Sequence, residues 1–228
     1  MKFVIVADGD VPAAVFEPKL LDGDSDGRPV VIAADGGALK AHNAGLPLSL
    51  VIGDADSLTT ETVERMRREG IEIQIHRQAK DATDTELCLR EALRRGATQI
   101  VILGALGGLR FDHAVANLLL LAHPDLAGCD TAVADATCTI RVLSRSYNDR
   151  LDLNGHAGDV VSLLPLDDNV KGVRTTGLKY PLAGEPLPHG TTRGVSNVMD
   201  GEHAAVTLES GRLAVIHSGP AAVVLIHD

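Results

Sequence analysis

Four successive apolar runs in the first half of the chain each end in acids, glycines or an arginine. Val31-Ile32-Ala33-Ala34 runs into Asp35-Gly36-Gly37, and Leu50-Val51-Ile52 into Gly53-Asp54-Ala55-Asp56-Ser57. Ile71–Ile75, in which Ile71, Ile73 and Ile75 alternate with polar residues, leads to Lys80-Asp81-Ala82-Thr83-Asp84-Thr85-Glu86, and Ile100-Val101-Ile102-Leu103 to Gly104-Ala105-Leu106-Gly107-Gly108-Leu109-Arg110-Phe111-Asp112-His113. A fifth run, Phe3–Ala7, precedes them, and 60–69, 83–95 and 114–123 carry helical patterns between and after. Apolar runs of strand length alternating with helices predict an α/β layer built on a mostly parallel sheet.

Past about residue 140 the helical period disappears. Val160–Leu164, Val170–Thr175, Ala204–Leu208, Leu213–His217 and Ala222–Ile226 are short β-prone runs separated by Gly, Pro, Asp and Asn. That pattern predicts an antiparallel sandwich or barrel. The chain is therefore divided into an α/β domain over 1–143 and an all-β domain over 144–228, taken as a sandwich, joined near Ser144–Gly158.

Composition narrows the partners. With 45% hydrophobic residues in 228, the chain can bury a real core. A net charge of −10 and an aromatic content of 2% argue against nucleic acid, which calls for basic surface and stacking rings. The apolar runs are too short to cross a membrane, and Asp8 interrupts the first where a signal peptide stays apolar. Cys88, Cys129 and Cys138 form no CxxC and cannot all pair, which fits a reducing, cytoplasmic setting.

Ligands of open α/β sheets bind beyond the carboxyl ends of the strands, where these acids and glycines stand. Clustered carboxylates repel one another unless a cation neutralises them, and an all-oxygen set suits Mg²⁺. Glycines admit phosphates close to the backbone, and the Arg110 guanidinium matches a phosphate's geometry. The expected site holds a Mg²⁺-polyphosphate.

Each element also has a plainer role. Asp35-Gly36-Gly37 could be a turn, and Asp54 and Asp56 loop acids or helix caps. Thr83 and Glu86 match a capping box, Arg110 and Asp112 a surface ion pair, and Cys88 a core position. Their joint occurrence at consecutive strand ends favours the site. A P-loop, a dinucleotide fingerprint, a nucleophile elbow and paired zinc ligands are missing.

Asp35-Gly36-Gly37, Gly53-Asp54-x-Asp56-Ser57, Lys80-Asp81-x-Thr83-Asp84-Thr85-Glu86, Arg110-x-Asp112-His113 and the later Thr175–Leu182 and Gly194–Asn197 together resemble the thiamine pyrophosphokinase family. Leu109 stands between the glycine pair and Arg110, where many relatives place the arginine directly after the glycines. The resemblance implies a nucleotide-binding α/β domain, a β-sandwich that helps bind thiamine, and a homodimer with active sites at the subunit interface. It implies the reaction ATP + thiamine → AMP + thiamine diphosphate. Asp54, Asp56 and Asp84 would be the catalytic, Mg²⁺-holding acids. Asp35, Gly36, Gly37, Thr83, Arg110, Asp112 and His113 would hold ATP. Tyr180, Ser196 and Asn197 would contact thiamine, Tyr180 by its ring face and the others by hydrogen bonds. Without the resemblance, Tyr180 reads as a half-buried strand residue and Asn197 as a turn former. Two rivals are an aspartate-dependent phosphatase using Asp54 and Asp56, and a non-catalytic nucleotide or thiamine sensor on the same fold.

Overall fold

The computed structural model describes residues 1–11, 27–54, 57–76, 81–146 and 148–219. Asp56, Lys80 and the run Ala222–Ile226 lie outside them. The chain forms two compact units, Met1–Leu120 with Cys129–Asp135, and Leu121–Gly128 with Ala136–Asp228.

The first unit is a parallel sheet. Its strands are β1 (Lys2–Val6), β2 (Val30–Ala34), β3 (Leu48–Gly53), β4 (Glu72–Ile75), β5 (Gln99–Leu103) and β6 (Asp130–Ala134). They lie in the order β6-β5-β1-β2-β3-β4, and every neighbouring pair is parallel. The chain thus steps outward from β1 through β2 to β4, then returns to the other side of β1 for β5 and β6. Helices α1 (Gly37–Asn43), α2 (Thr60–Arg68), α3 (Asp84–Arg94) and α4 (Phe111–Leu120) follow β2, β3, β4 and β5. Phe3 to Val6 and Ile100 to Leu103 are wholly buried, as strands covered on both faces require.

Hydrophobic patterning locates β1 to β5, α2 and α3 to within two residues. It does not foresee α1, which begins at Gly37 where the sequence suggests only a turn, nor β6. At the edge of the sheet, β4 departs from expectation. Ile71 is buried ahead of the strand, whereas Ile75 is 59% exposed. An edge strand has one open side, so alternation there does not guarantee burial.

Helix α4 spans Phe111–Leu120 rather than Ala114–His123. Arg110 O accepts from His113 N and Ala114 N, which sets the earlier start. Pro124 pushes His123 into extended backbone (ψ 133°), and a 3₁₀ turn follows at Pro124–Leu126. The buried residue of α4 is Asn117, while Phe111, Val115 and Leu119 are exposed.

In the second unit, β7 (Cys138–Ser144), β14 (Arg212–Ser218), β9 (Val160–Pro165) and β12 (Asn197–Val198) pair antiparallel. A second antiparallel sheet runs β11 (Ala183–Pro188), β10 (Asn169–Thr176), β13 (His203–Thr207) and β8 (Arg150–Asn154). Leu143, Val161, Leu163 and Val215 from one sheet meet Leu153, Val170, Val173 and Val206 from the other in one core. Strand β8 lies inside the stretch expected to be a junction; Leu151 and Leu153 are buried and alternate with exposed Arg150 and Asp152.

Among the described residues, no helix is long and apolar enough to cross a membrane.

Candidate active site

Reversal of strand order beside β1 opens a crevice at the carboxyl ends of the strands, the position where doubly wound sheets bind ligands. A cleft of about 990 Å³ occupies that end of the first unit. Five strand exits and three helices supply its walls. Asp35 follows β2, Asp54 and Ser57 follow β3, and Asp81, Thr83, Asp84 and Thr85 form the approach and first turn of α3. Gly104, Gly107, Gly108 and Arg110 follow β5, and His113 and Asn117 belong to α4.

Asp35, Asp54, Thr83, Asp84, Arg110 and His113, all expected from the sequence, are therefore brought to one cleft. The chain spreads them over 79 positions (35 to 113), and only the parallel sheet gathers them. Asp35 takes a left-handed backbone (φ 42°), tolerated better by Asp than by most residues. Its amide donates to Ile52 O at 2.9 Å, and the Ser57 hydroxyl donates to its carboxylate. Gly53 makes room for it, since a Cβ there would stand 2.9 Å from the Asp35 Cβ.

Gly36 and Gly37 make room for the β1 exit, one for the Asp8 side chain and the other for the Val6 carbonyl. A Cβ at Gly36 would lie 2.6 Å from Asp8 Oδ1, and one at Gly37 would lie 2.2 Å from Val6 O.

Thr83 caps α3, its hydroxyl accepting from Glu86 N at 3.2 Å. The other half of the expected capping box does not form in this way: the Glu86 carboxylate turns to Arg90, 2.5 Å away. Arg110 and Asp112 make a two-pronged ion pair, Nε to Oδ1 at 2.9 Å and Nη2 to Oδ2 at 2.7 Å. The Arg110 hydrogen bond holds the Asp112 carboxyl down at about 2 and raises Arg110. Both side chains are about two-thirds exposed, so a phosphate can exchange with Asp112 on the guanidinium at little cost.

Sequence reasoning overlooks several lining residues: Asp8, Gly9 and Asp10 after β1, Lys40 on α1, and Asn117. The first three were within reach of the same rule, because Asp8-Gly9-Asp10 is also a strand exit. Lys40 and Asn117 carry no such signal; only the packing of their helices brings them in.

Six aspartates (Asp8, Asp10, Asp35, Asp54, Asp81 and Asp84) line the cleft beside the basic side chains Lys40 and Arg110. This hard-oxygen, electronegative set fits a divalent cation such as Mg²⁺. Among the described residues, no three His, Cys, Asp or Glu side chains are grouped to hold a metal unaided.

The remaining candidates lie in the second unit. Asn197 Oδ1 accepts from Tyr180 N at 3.0 Å, and its Nδ2 donates to Tyr180 O at 2.7 Å. The amide expected to meet a ligand is thus engaged with the backbone of Tyr180. The Tyr180 residue stays 61% exposed, with the Lys179 ammonium 5.7 Å from its ring centre. Ser196 is left-handed (φ 62°), and its amide donates to Ser162 Oγ at 3.0 Å.

Comparisons with known proteins agree with this division. A family model described as the catalytic domain of thiamin pyrophosphokinase matches residues 21–133, and one described as its vitamin B1 binding domain matches residues 148–213. The thiamine pyrophosphokinase of Bacillus subtilis (strain 168) is 27% identical over 199 residues, 87% of this chain and 91% of its own length. Among crystal structures, the thiamin pyrophosphokinase family protein of Enterococcus faecalis is 28% identical with a TM-score of 0.77, covering 96% of this chain and 99% of that one. The Bacillus subtilis structure shares the fold with a TM-score of 0.82 at 24% identity, over 96% of this chain and 99% of that one. Since the two family models together span most of its length, the chain belongs to the thiamin pyrophosphokinase family.

Proposed function

We propose that the cleft of the first unit is where this enzyme transfers a diphosphoryl group from ATP to the hydroxyl of thiamine. The hydroxyl oxygen bonds to the β-phosphorus, and the bond from that phosphorus to the oxygen shared with the α-phosphorus breaks. The products are thiamine diphosphate, AMP and one proton. The observation that carries this reading is the convergence of acids, Thr83 and Arg110 from consecutive strand exits on one cleft, in a chain of this family.

Asp54, Asp56 and Asp84 hold the cation, directly or through water. Mg²⁺, when bound, neutralises charge on the phosphates as the diphosphoryl group moves. Arg110 leaves Asp112 to clamp a phosphate, and Asp35, Gly36, Gly37, Thr83, Asp112 and His113 frame the nucleotide. Tyr180 offers its ring face to thiamine, its backbone held by Asn197, and Ser196 and Asn197 complete the thiamine contacts. Domains over 1–143 and 144–228 thereby divide the work between nucleotide and thiamine. The working form is a cytoplasmic homodimer with its active sites at the subunit interface. No comparison supports an aspartate phosphatase or a non-catalytic sensor.

Incubation with Mg²⁺-ATP and thiamine, followed by mass detection, tests the reading. Thiamine diphosphate and AMP should appear in equal amounts. ADP as the stoichiometric nucleotide product would reject diphosphoryl transfer and leave only an ATP site.

A further inference from the structure

The geometry points to Lys40 and Asp10 as positioning residues that brace the Gly104–Gly108 loop, and through it Arg110, for the nucleotide. This rests on the reading of the cleft as the ATP site. Lys40 Nζ donates to the carbonyls of Asp8 and Gly9, the latter at 2.6 Å, and stands 3.1 Å from Asp8 Oδ1. An ammonium has three N–H groups, and these three acceptors of the β1 exit occupy them all. Lys40 in this arrangement pins a loop rather than reaching for a phosphate.

The pinned loop is in turn zipped to the β5 exit. Ala7 N donates to Leu103 O at 2.8 Å, Gly9 N to Gly104 O at 2.8 Å, and Asp10 N to Leu106 O at 3.2 Å. The Asp10 carboxylate closes the seam by accepting from Gly108 N at 3.0 Å. Two glycines are spaced for this contact. A Cβ on Gly9 would stand 2.3 Å from Gly104 O, and one on Gly107 would stand 2.7 Å from Asp10 Oδ2. From α4, buried Asn117 donates to Ala105 O at 3.0 Å. The loop is held at 104, 105, 106 and 108, two residues before Arg110. Small misplacements of a phosphate-binding group are costly in turnover, which gives such a brace its purpose.

The test uses the full chain with Asp10→Ala, Lys40→Met and Asp10→Asn. Hydrogen exchange at the 104–108 amides is read without substrates, and KM for ATP and for thiamine separately. Asp10→Ala and Lys40→Met should speed exchange at 104–108 and raise the KM for ATP about ten- to 150-fold, the range expected for one lost hydrogen bond to a charged group. The KM for thiamine should change less than about twofold, since Lys40 and Asp10 line the nucleotide cleft. Asp10→Asn keeps an acceptor for Gly108 N and should retain slow exchange, with a KM for ATP closer to wild type than that of Asp10→Ala. Unaltered exchange in Asp10→Ala and Lys40→Met would overturn the brace. So would an Asp10→Asn variant that loses activity while exchange stays slow, because Asp10 would then act through its charge. Fast exchange in a chain that makes no thiamine diphosphate would support the brace and reject the activity.

Discussion

Asp54 directly follows the buried end of β3 and faces a cleft crowded with other carboxylates. Removing one negative charge from such a set relieves repulsion, so Asp54→Asn should leave the melting temperature unchanged or slightly raised. Turnover should fall by orders of magnitude if the carboxylate holds the cation. Near wild-type turnover at saturating Mg²⁺ would refute the assignment. Tyr180 and Arg110 allow a complementary test. Tyr180→Ala should raise the KM for thiamine about two- to thirty-fold through lost ring contact, sparing ATP. Arg110→Ala should weaken nucleotide binding or turnover and spare thiamine. Titration of each substrate against both variants checks the pair, and a Tyr180→Ala enzyme defective only toward ATP would disprove the thiamine pocket. At this scale the sequence named most of the cleft's acids. It did not foresee the contacts that Gly36, Gly37 and Asn197 make within the protein, because their partners, Asp8, Val6 and Tyr180, are set by strand and loop contacts distant in sequence.

Elements differ in how much their burial matters. Ile102 is the fourth of the five residues of β5, wholly buried between β1 and β6, whereas Ile75 ends the edge strand β4 and is mostly exposed. Ile102→Ala should cost about 2–5 kcal/mol, the transfer term plus the cavity left in a packed sheet. Ile75→Ala should change stability by less than about 0.5 kcal/mol. Denaturant unfolding of the two variants measures the difference, and equal losses would mean that β4 is covered. Continuous apolar runs marked the buried strands because both of their faces are covered. The same criterion passed over α1, which is only seven residues long, and β8, whose charged positions alternate with leucines.

Ion pairs and overall charge govern the acid response of the molecule. Arg94, with Arg95 behind it, holds Glu91 down at about 2 from an ordinary 4.5, and Arg110 does the same to Asp112 from 3.8. Asp167, hydrogen-bonded to Arg212, and Asp152, hydrogen-bonded to Arg150, are lowered as well. A carboxyl with a depressed folded value favours the folded state above its ordinary value. That contribution is lost as the pH falls through the ordinary value toward the folded one. The melting temperature should therefore be level between about pH 5 and 7 and decline below about pH 4.5. Glu91→Gln should give a shallower decline, because it removes one proton-linked pair. Calorimetric scans from pH 3 to 7, roughly the span of these titrations, provide the check; an identical acid limb would show that Glu91 contributes nothing.

Local pattern alone determined the α/β layer, the β-rich second half and the acids, glycines and arginine of four strand exits. Periodicity and strand-end chemistry are properties of neighbouring residues, and they survive without knowledge of the fold. Tertiary structure decided the rest. It placed β1 between β2 and β5, and so drew Asp8, Asp10, Lys40 and Asn117 into the cleft. It also turned the Asn197 amide onto the Tyr180 backbone. Those contacts join segments up to 98 residues apart. Nothing in either segment by itself names the other, because strand order and helix packing choose which residues meet.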